Sequence, residues 1–339
     1  MELKTYTEFK KIIKEKRLEG PIIIYGDENH LIDESIKIIY NIIKSFQEMN
    51  IVKLDGENIT LDDIINACET LPFMEDKKIV HIRKAAFLNK APGMTEDFVK
   101  NFSNYIKNLP DGIILLLTLQ GSVDSTNAVF KVIKSTGYVI EYKPMRGEEL
   151  QRWVLESFNK NGKVINKYEL NYFIMEAGSS LEQLEREVEK VCAYASEEVI
   201  TKQHIDEVVH KSIESNIFKM VDSISRKDAD KAISILNALL FQKEEHLKIL
   251  GMIIRQIRLM YLIRAYLDEK RSPSEINRDL KLNEFVLNNL IKQSKAYTVE
   301  GLKKLLSLCL ETDYNLKNGT YSSDFYGLAL ETLIVELCK

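Results

Sequence analysis

The sequence predicts an α/β domain followed by all-α segments. Three observations carry that prediction: strand and helix signals alternate over the first 143 residues, strand signals stop after Pro144, and 14 Gly and 6 Pro in 339 residues leave few turns. Apolar, β-rich runs occupy 22–25, 51–54, 78–83, 113–119 and 138–142. Stretches of helical period lie between them at 31–49, 61–70, 95–109 and 125–135. Such alternation indicates a parallel sheet covered by helices. The run Ile113-Ile114-Leu115-Leu116-Leu117 has the continuous apolarity of a central strand buried on both faces, and Asp111-Gly112 marks the turn before it.

Beyond Pro144, 148–159 reads as a helix with Leu150, Val154 and Phe158 on one side, and 167–177 as a second. Gly178-Ser179-Ser180 ends that helix and opens the next, with Ser180 three residues before Gln183 in a capping-box arrangement. The helix that follows turns Leu181, Leu184, Val188 and Val191 inward and Glu182, Glu185, Arg186, Glu189 and Lys190 outward. A short element at 201–209 completes a small helical domain. From Ser212 the pattern is helical throughout, at 213–224, 229–241, 248–268, 272–280, 284–295, 299–317 and 325–338, an all-α bundle without heptads or repeats. The chain thus reads as three segments, 1–143, 144–211 and 212–339.

Composition narrows the function classes. Hydrophobic residues make up 45% and charged residues 29%, as in a globular protein with a sizeable core. A net charge of −4 argues against a dominant electrostatic grip on DNA. The balance is uneven, with net charges of about −2, −5 and +3 over 1–143, 144–210 and 211–339, so the last third is mildly basic. Cys68, Cys192, Cys309 and Cys338 are far apart and share no C-x-x-C spacing, which predicts reduced thiols, neither a zinc site nor a disulfide framework. The N-terminal MELKTYTEFKKIIKEK has charges throughout and is not expected to be a signal peptide. No apolar run reaches the roughly 18 residues of a membrane span.

The strand at 22–25 breaks at Gly26-Asp27-Glu28-Asn29-His30, where a P-loop protein carries G-x-x-x-x-G-K-[ST]. A second glycine, a phosphate lysine and a magnesium-binding hydroxyl are missing, and Asp27 and Glu28 would repel phosphate. Neither Lys84-Ala85-Ala86 nor Gln120-Gly121, which follow neighbouring strands, supplies paired carboxylates for a metal. The strand-turn-helix is expected to be retained without its catalytic turn. His30, His81, His204, His210 and His246 are isolated, as surface or satisfied core residues are, and Gly121-Ser122-Val123-Asp124 is no nucleophile elbow.

Two stretches remain. In Glu69-Thr70-Leu71-Pro72-Phe73-Met74-Glu75-Asp76-Lys77-Lys78 a helix ends near Thr70, because Pro72 biases its predecessor away from helix. The apolar residues after it either cap the local core or form an exposed interface plug. In the bundle, Arg255, Arg258 and Arg264 alternate with Gln256, Tyr261 and Tyr266, and Lys317-Asn318-Gly319-Thr320-Tyr321 sets a cation beside an aromatic. These residues are either a solvated face with core tyrosines or contacts to phosphates and bases.

Several segments then fall into a familiar order. Residues 20–28 read GPIIIYGDE, 70–74 read TLPFM, and 77–80 read KKIV. Residues 178–194 read GSSLEQLEREVEKVCAY, 217–222 IFKMVD, 255–258 RQIR and 313–319 DYNLKNG. Over essentially its whole length the chain resembles the delta subunits of the bacterial DNA polymerase III clamp loader. The resemblance implies an AAA+-like parallel α/β domain (1–143), a small helical lid domain (144–211) and a C-terminal helical collar domain (212–339). It implies a cytoplasmic subunit of a DNA polymerase holoenzyme that does not hydrolyse ATP, with no catalytic residues, cofactor or metal of its own. The implied partners are the beta sliding clamp, the other loader subunits (gamma/tau and delta-prime type) through the collar, and primer-template DNA within the assembly. The clamp-binding tip maps onto Leu71, Pro72, Phe73 and Met74; where many clamp-binding motifs end in Leu-Phe, this chain has Pro72-Phe73. Lys317 and Tyr321 are candidate DNA contacts. Two other classes compete: an active P-loop ATPase with an atypical turn, expected to bind ATP saturably, and a helical DNA-binding adaptor, expected to bind DNA in a salt-sensitive way.

Overall fold

The computed structural model describes residues 2–3, 6–15, 18–89, 95–280, 282 and 284–339; parts of the N-terminal stretch weighed above as a leader lie outside them. The chain divides into two compact units, Met1–Pro144 and Met145–Lys339.

The first unit runs β1 (Glu2–Leu3), α1 (Tyr6–Lys14), β2 (Gly20–Gly26), α2 (Asn29–Tyr40), α3 (Gln47–Asn50), β3 (Ile51–Asp55), α4 (Leu61–Glu69), β4 (Lys78–Arg83), α5 (Glu96–Ile106), β5 (Ile113–Gln120), α6 (Ala128–Thr136) and β6 (Tyr138–Tyr142). Its six strands are parallel in the order β1-β6-β2-β5-β4-β3. Each crossover carries helices onto the sheet, so the central strands lose water on both faces. Ile22, Ile23 and Ile24 of β2 and Ile113 through Leu117 of β5 are accordingly buried. Ile64 and Cys68 of α4, Phe102 and Ile106 of α5 and Phe130 and Ile133 of α6 pack against the sheet. Local signals set the helix starts. Thr60 accepts the Asp63 N–H at 3.2 Å while the Asp63 carboxylate accepts the Thr60 N–H, a closed capping box. Thr95 and Asn127 cap α5 and α6 with their side-chain oxygens, which accept first-turn N–H groups.

Two features of this unit differ from expectation. The stretch 31–49 is not one helix: α2 stops at Tyr40, and α3 is a separate turn. Ile42, Ile43, Phe46 and Met49 keep helical spacing, but the ladder ends in a turn after Tyr40, and left-handed Phe46 (φ 50°) stands at the N-cap of α3. Edge strand β1 and helix α1 have no counterpart in the sequence reading. Tyr6, Phe9 and Ile12 are the buried anchors of α1, spaced for one helical face among the charges of the N-terminal stretch.

The second unit runs α7 (Gly147–Lys160), β7 (Val164–Ile165), α8 (Lys167–Ala177), α9 (Leu181–Tyr194), β8 (Val199–Ile200), α10 (Lys202–Val208), α11 (Ile213–Ser225), α12 (Ala229–Phe241), α13 (His246–Asp268), α14 (Pro273–Leu280), α15 (Glu284–Ser294), α16 (Val299–Lys317) and α17 (Tyr326–Leu337). Strand signals do not stop at Pro144 after all, because β7 and β8 pair in parallel. Two residues each, they are too short to register as a pattern. Ser180 stands exposed at the start of α9 without a side-chain cap bond, so the expected capping box is not formed. Helix α13 is the axis of the bundle. Its Ile249, Leu250, Ile253, Ile257, Met260 and Ile263 are buried, and it packs against α11, α15 and α16. Among the described residues no helix is long and apolar enough to cross a membrane.

Candidate functional site

In a parallel sheet, the loops entering two adjacent strands lie side by side. Strands β3 and β4 are neighbours in register from Ile51↔Ile79 to Asp55↔Arg83. The loop before β3 (41–46, then α3) and the loop before β4 (70–77) therefore meet at the N-terminal end of the sheet. The turn after β2 lies at the opposite, C-terminal end.

The loop before β4 presents apolar side chains to solvent. Leu71 is 84%, Met74 77% and Phe73 44% exposed, while Pro72 is half-buried. These side chains do not cap the local core. The backbone beneath them is tied down. The Lys78 ammonium, itself buried, donates to the carbonyl oxygens of Ala67 (2.7 Å) and Thr70 (3.0 Å), closing the C-terminus of α4 where the dipole favours a cation. Lys77 reaches the Leu18 carbonyl at 3.0 Å. Gly112 in the next loop admits the chain closely: at φ 77° a Cβ there would lie 2.8 Å from the Asp76 carbonyl oxygen.

Three residues at this end were missed in the sequence: Phe46, Met49 and Asn50. Phe46 (51%) and Met49 (58%) are exposed, and the Phe46 and Phe73 rings meet edge to face at 5.3 Å. Asn50 is fully buried and bonds both loops. Their helical spacing disguised the first two as helix-face residues; the register of β3 on β4 was the signal that pairs the loops.

The turn after β2 is blocked as a phosphate cradle. The N–H groups of Asp27 and Glu28 both donate to the Tyr142 carbonyl, at 3.0 and 3.2 Å. Gly26 (φ 137°) permits this approach, since a Cβ there would lie 2.0 Å from that oxygen. Counted from Gly26, the P-loop pattern would place its second glycine, lysine and hydroxyl at 31, 32 and 33. These are Leu31 and Ile32, both buried, and Asp33. Burial raises the Glu28 carboxyl above the usual carboxylate range. His81 is a satisfied core residue, its ring between the Tyr40 hydroxyl (2.7 Å) and the Thr118 hydroxyl (2.8 Å). Among the described residues no cluster of His, Cys, Asp and Glu could hold a metal, and all four cysteines are free.

The bundle candidates do not converge. Arg255 and Arg258 are exposed on α13, whereas Arg264 pairs with Asp268 and Tyr261 and Tyr266 pack on the core. Lys317 pairs with Asp313 at 2.8 Å, and Tyr321 is 40% exposed in the following turn.

Comparison with known proteins settles the family. A model of the DNA polymerase III delta subunit matches residues 22–143, and one of its C-terminal domain matches residues 214–337. The chain belongs to the DNA polymerase III delta subunit family. It is 24% identical over 335 residues to DNA polymerase III subunit delta of Bacillus subtilis (strain 168), covering 97% of this chain and 96% of that one. A probable DNA polymerase III subunit delta of Aquifex aeolicus (strain VF5) is 25% identical over 301 residues, 85% of this chain and 83% of the other. The solved Bacillus subtilis DNA clamp loader delta protein shares the fold, with a TM-score of 0.63 at 23% identity over 98% of this delta-family chain and 99% of that one.

Proposed function

We propose that this chain is the delta subunit of the clamp loader, docking on the beta sliding clamp through Leu71, Pro72, Phe73 and Met74 and helping to open the ring for loading onto primed DNA. The observation that carries the reading is the exposure of Leu71, Phe73 and Met74 on a backbone pinned by Lys77 and Lys78. Large apolar side chains held in water on a fixed loop are costly to a free protein and useful only at an interface. The family's clamp-binding tip falls on the same residues.

The proposed mechanism is differential binding. A tip that fits the sprung form of one clamp protomer better than the closed form shifts the ring toward opening, and no bond is made or broken. Within this reading 1–143 carries the tip, 144–211 is the lid and 212–339 is the collar. The collar meets the other loader subunits, of gamma/tau and delta-prime type; exposed Leu310, Tyr314 and Leu328 suit such a contact. Primer-template DNA enters within the assembly, and ATP is hydrolysed by the neighbours, not here.

The test is calorimetry of the full chain against its own organism's sliding clamp, without nucleotide, beside Phe73→Ala. The parent is expected to bind and the variant to lose more than about 2 kcal/mol, as a buried hot-spot aromatic does. Equal binding by the two proteins would move the site elsewhere.

A further inference from the structure

We propose that Phe46 and Asn50 are positioning residues for the tip, Asn50 clipping the two loops together and the Phe46 ring holding the Phe73 ring in its docking pose. The inference rests on the clamp-docking reading above. Asn50 is fully buried, and its carboxamide is spent on backbone. Its Oδ1 accepts the Phe73 N–H at 2.7 Å; its Nδ2 donates to the Phe73 carbonyl at 2.9 Å and to the Phe46 carbonyl at 3.2 Å. One side chain thus fixes both backbone groups of the residue expected to anchor the partner. Glu75 adds a second clip, its Oε1 accepting the N–H groups of Lys44 and Ser45. The Phe46 and Phe73 rings stand at 89°, so the edge of one bears on the face of the other and limits its rotamers.

Strain supplies an independent argument. Phe46 and Met74 both sit at φ 50°, one on each loop. Left-handed backbone disfavours bulky L residues, and Gly or Asn would occupy it more cheaply. Burial would repay the strain in a core, but both side chains are exposed. Strain held on both loops, beside the ring pair and the buried Asn50 clip, is what a preorganised binding surface stores. An anchor already immobilised loses less rotamer freedom on docking and binds tighter for it.

The test compares the full chain with Phe46→Gly, Phe46→Tyr, Phe73→Ala and the Phe46→Gly/Phe73→Ala double variant, by clamp calorimetry and urea unfolding. Phe46→Gly is expected to bind the clamp about 2- to 10-fold more weakly, the range of one edge-to-face pair, with stability unchanged because glycine accepts the backbone. Phe46→Tyr, which keeps the ring, should restore parental affinity. In the Phe73→Ala background the Phe46→Gly loss should disappear, as it must if Phe46 acts through Phe73. Amide exchange gives a readout independent of the clamp: the Phe73 N–H should be protected in the parent and exchange freely in Asn50→Ala. Parental affinity in Phe46→Gly, or an equal loss with and without Phe73, overturns the inference and leaves the clamp reading standing. No binding by the parent removes both.

Discussion

At the scale of single residues, burial decides which groups carry charge. His81 lies in the sheet between two hydroxyls, and burial, reinforced by Arg83 and Lys53, pushes its pKa down to about 4. The ordinary value is about 6.5 in an unfolded chain. The native state therefore prefers the neutral ring. Its full stability is present above pH 6.5 and drains away as pH falls toward 4, because only the unfolded chain takes up the proton. Between pH 7 and pH 5 the loss is about 2 kcal/mol from this residue alone. Urea unfolding at the two pH values should show it in the parent, and a His81→Gln protein should lose that much less. Equal pH slopes would mean that the ring takes up its proton as readily in the native state as in the unfolded chain. The bland role of this histidine was legible in the sequence, which gives it no ligand or nucleophile at usable spacing. Its two partners were not, since Tyr40 and Thr118 reach it only through packing.

At the scale of elements, the tip depends on how α4 ends. Replacing Lys78 by Met keeps much of the buried stem but leaves the carbonyls of Ala67 and Thr70 without their cation. Hydrogen bonds to a charged group are worth roughly 1.5–3 kcal/mol. Lys78→Met is expected to cost about 2 kcal/mol in urea unfolding, and an unchanged midpoint would show that water replaces the ammonium without loss. The elements themselves were readable to differing degrees. Strands β4 and β6 and helices α8, α12 and α16 keep their expected bounds, because their apolar periods are long and uninterrupted. The break between Tyr40 and Gln47 was hidden because Ile42, Ile43 and Phe46 hold helical spacing across a stretch that is not helical. Leu71, Pro72, Phe73 and Met74 stood out as apolar residues after a helix stop. Asn50 could not stand out, since its work is to bond Phe73, 23 residues away, across strands whose register the sequence leaves implicit.

At the scale of the molecule, two activities are distributed by charge and backbone. With the Asp27 and Glu28 N–H groups given to the Tyr142 carbonyl, titration with magnesium-ATP should give no saturable heat; a stoichiometric isotherm would revive the ATPase reading. On the proposed reading DNA is met only within an assembled loader, since a chain of net charge −4 lacks the field to hold a duplex alone. Within its basic last third, Lys317 and Tyr321 should act differently. Lys317 is shared with Asp313, so Lys317→Ala removes at most one phosphate contact and lowers the salt slope of binding by about 1. Tyr321 offers an exposed ring with no charge of its own, and stacking on a base is worth about 1–3 kcal/mol. Tyr321→Ala in the reconstituted loader should weaken primer-template binding about tenfold with the salt slope intact. Fluorescence anisotropy across a salt series reads both quantities. A change in slope with Tyr321→Ala would mark a lost phosphate contact in place of a stack, and no change in either quantity would take this turn off the DNA path.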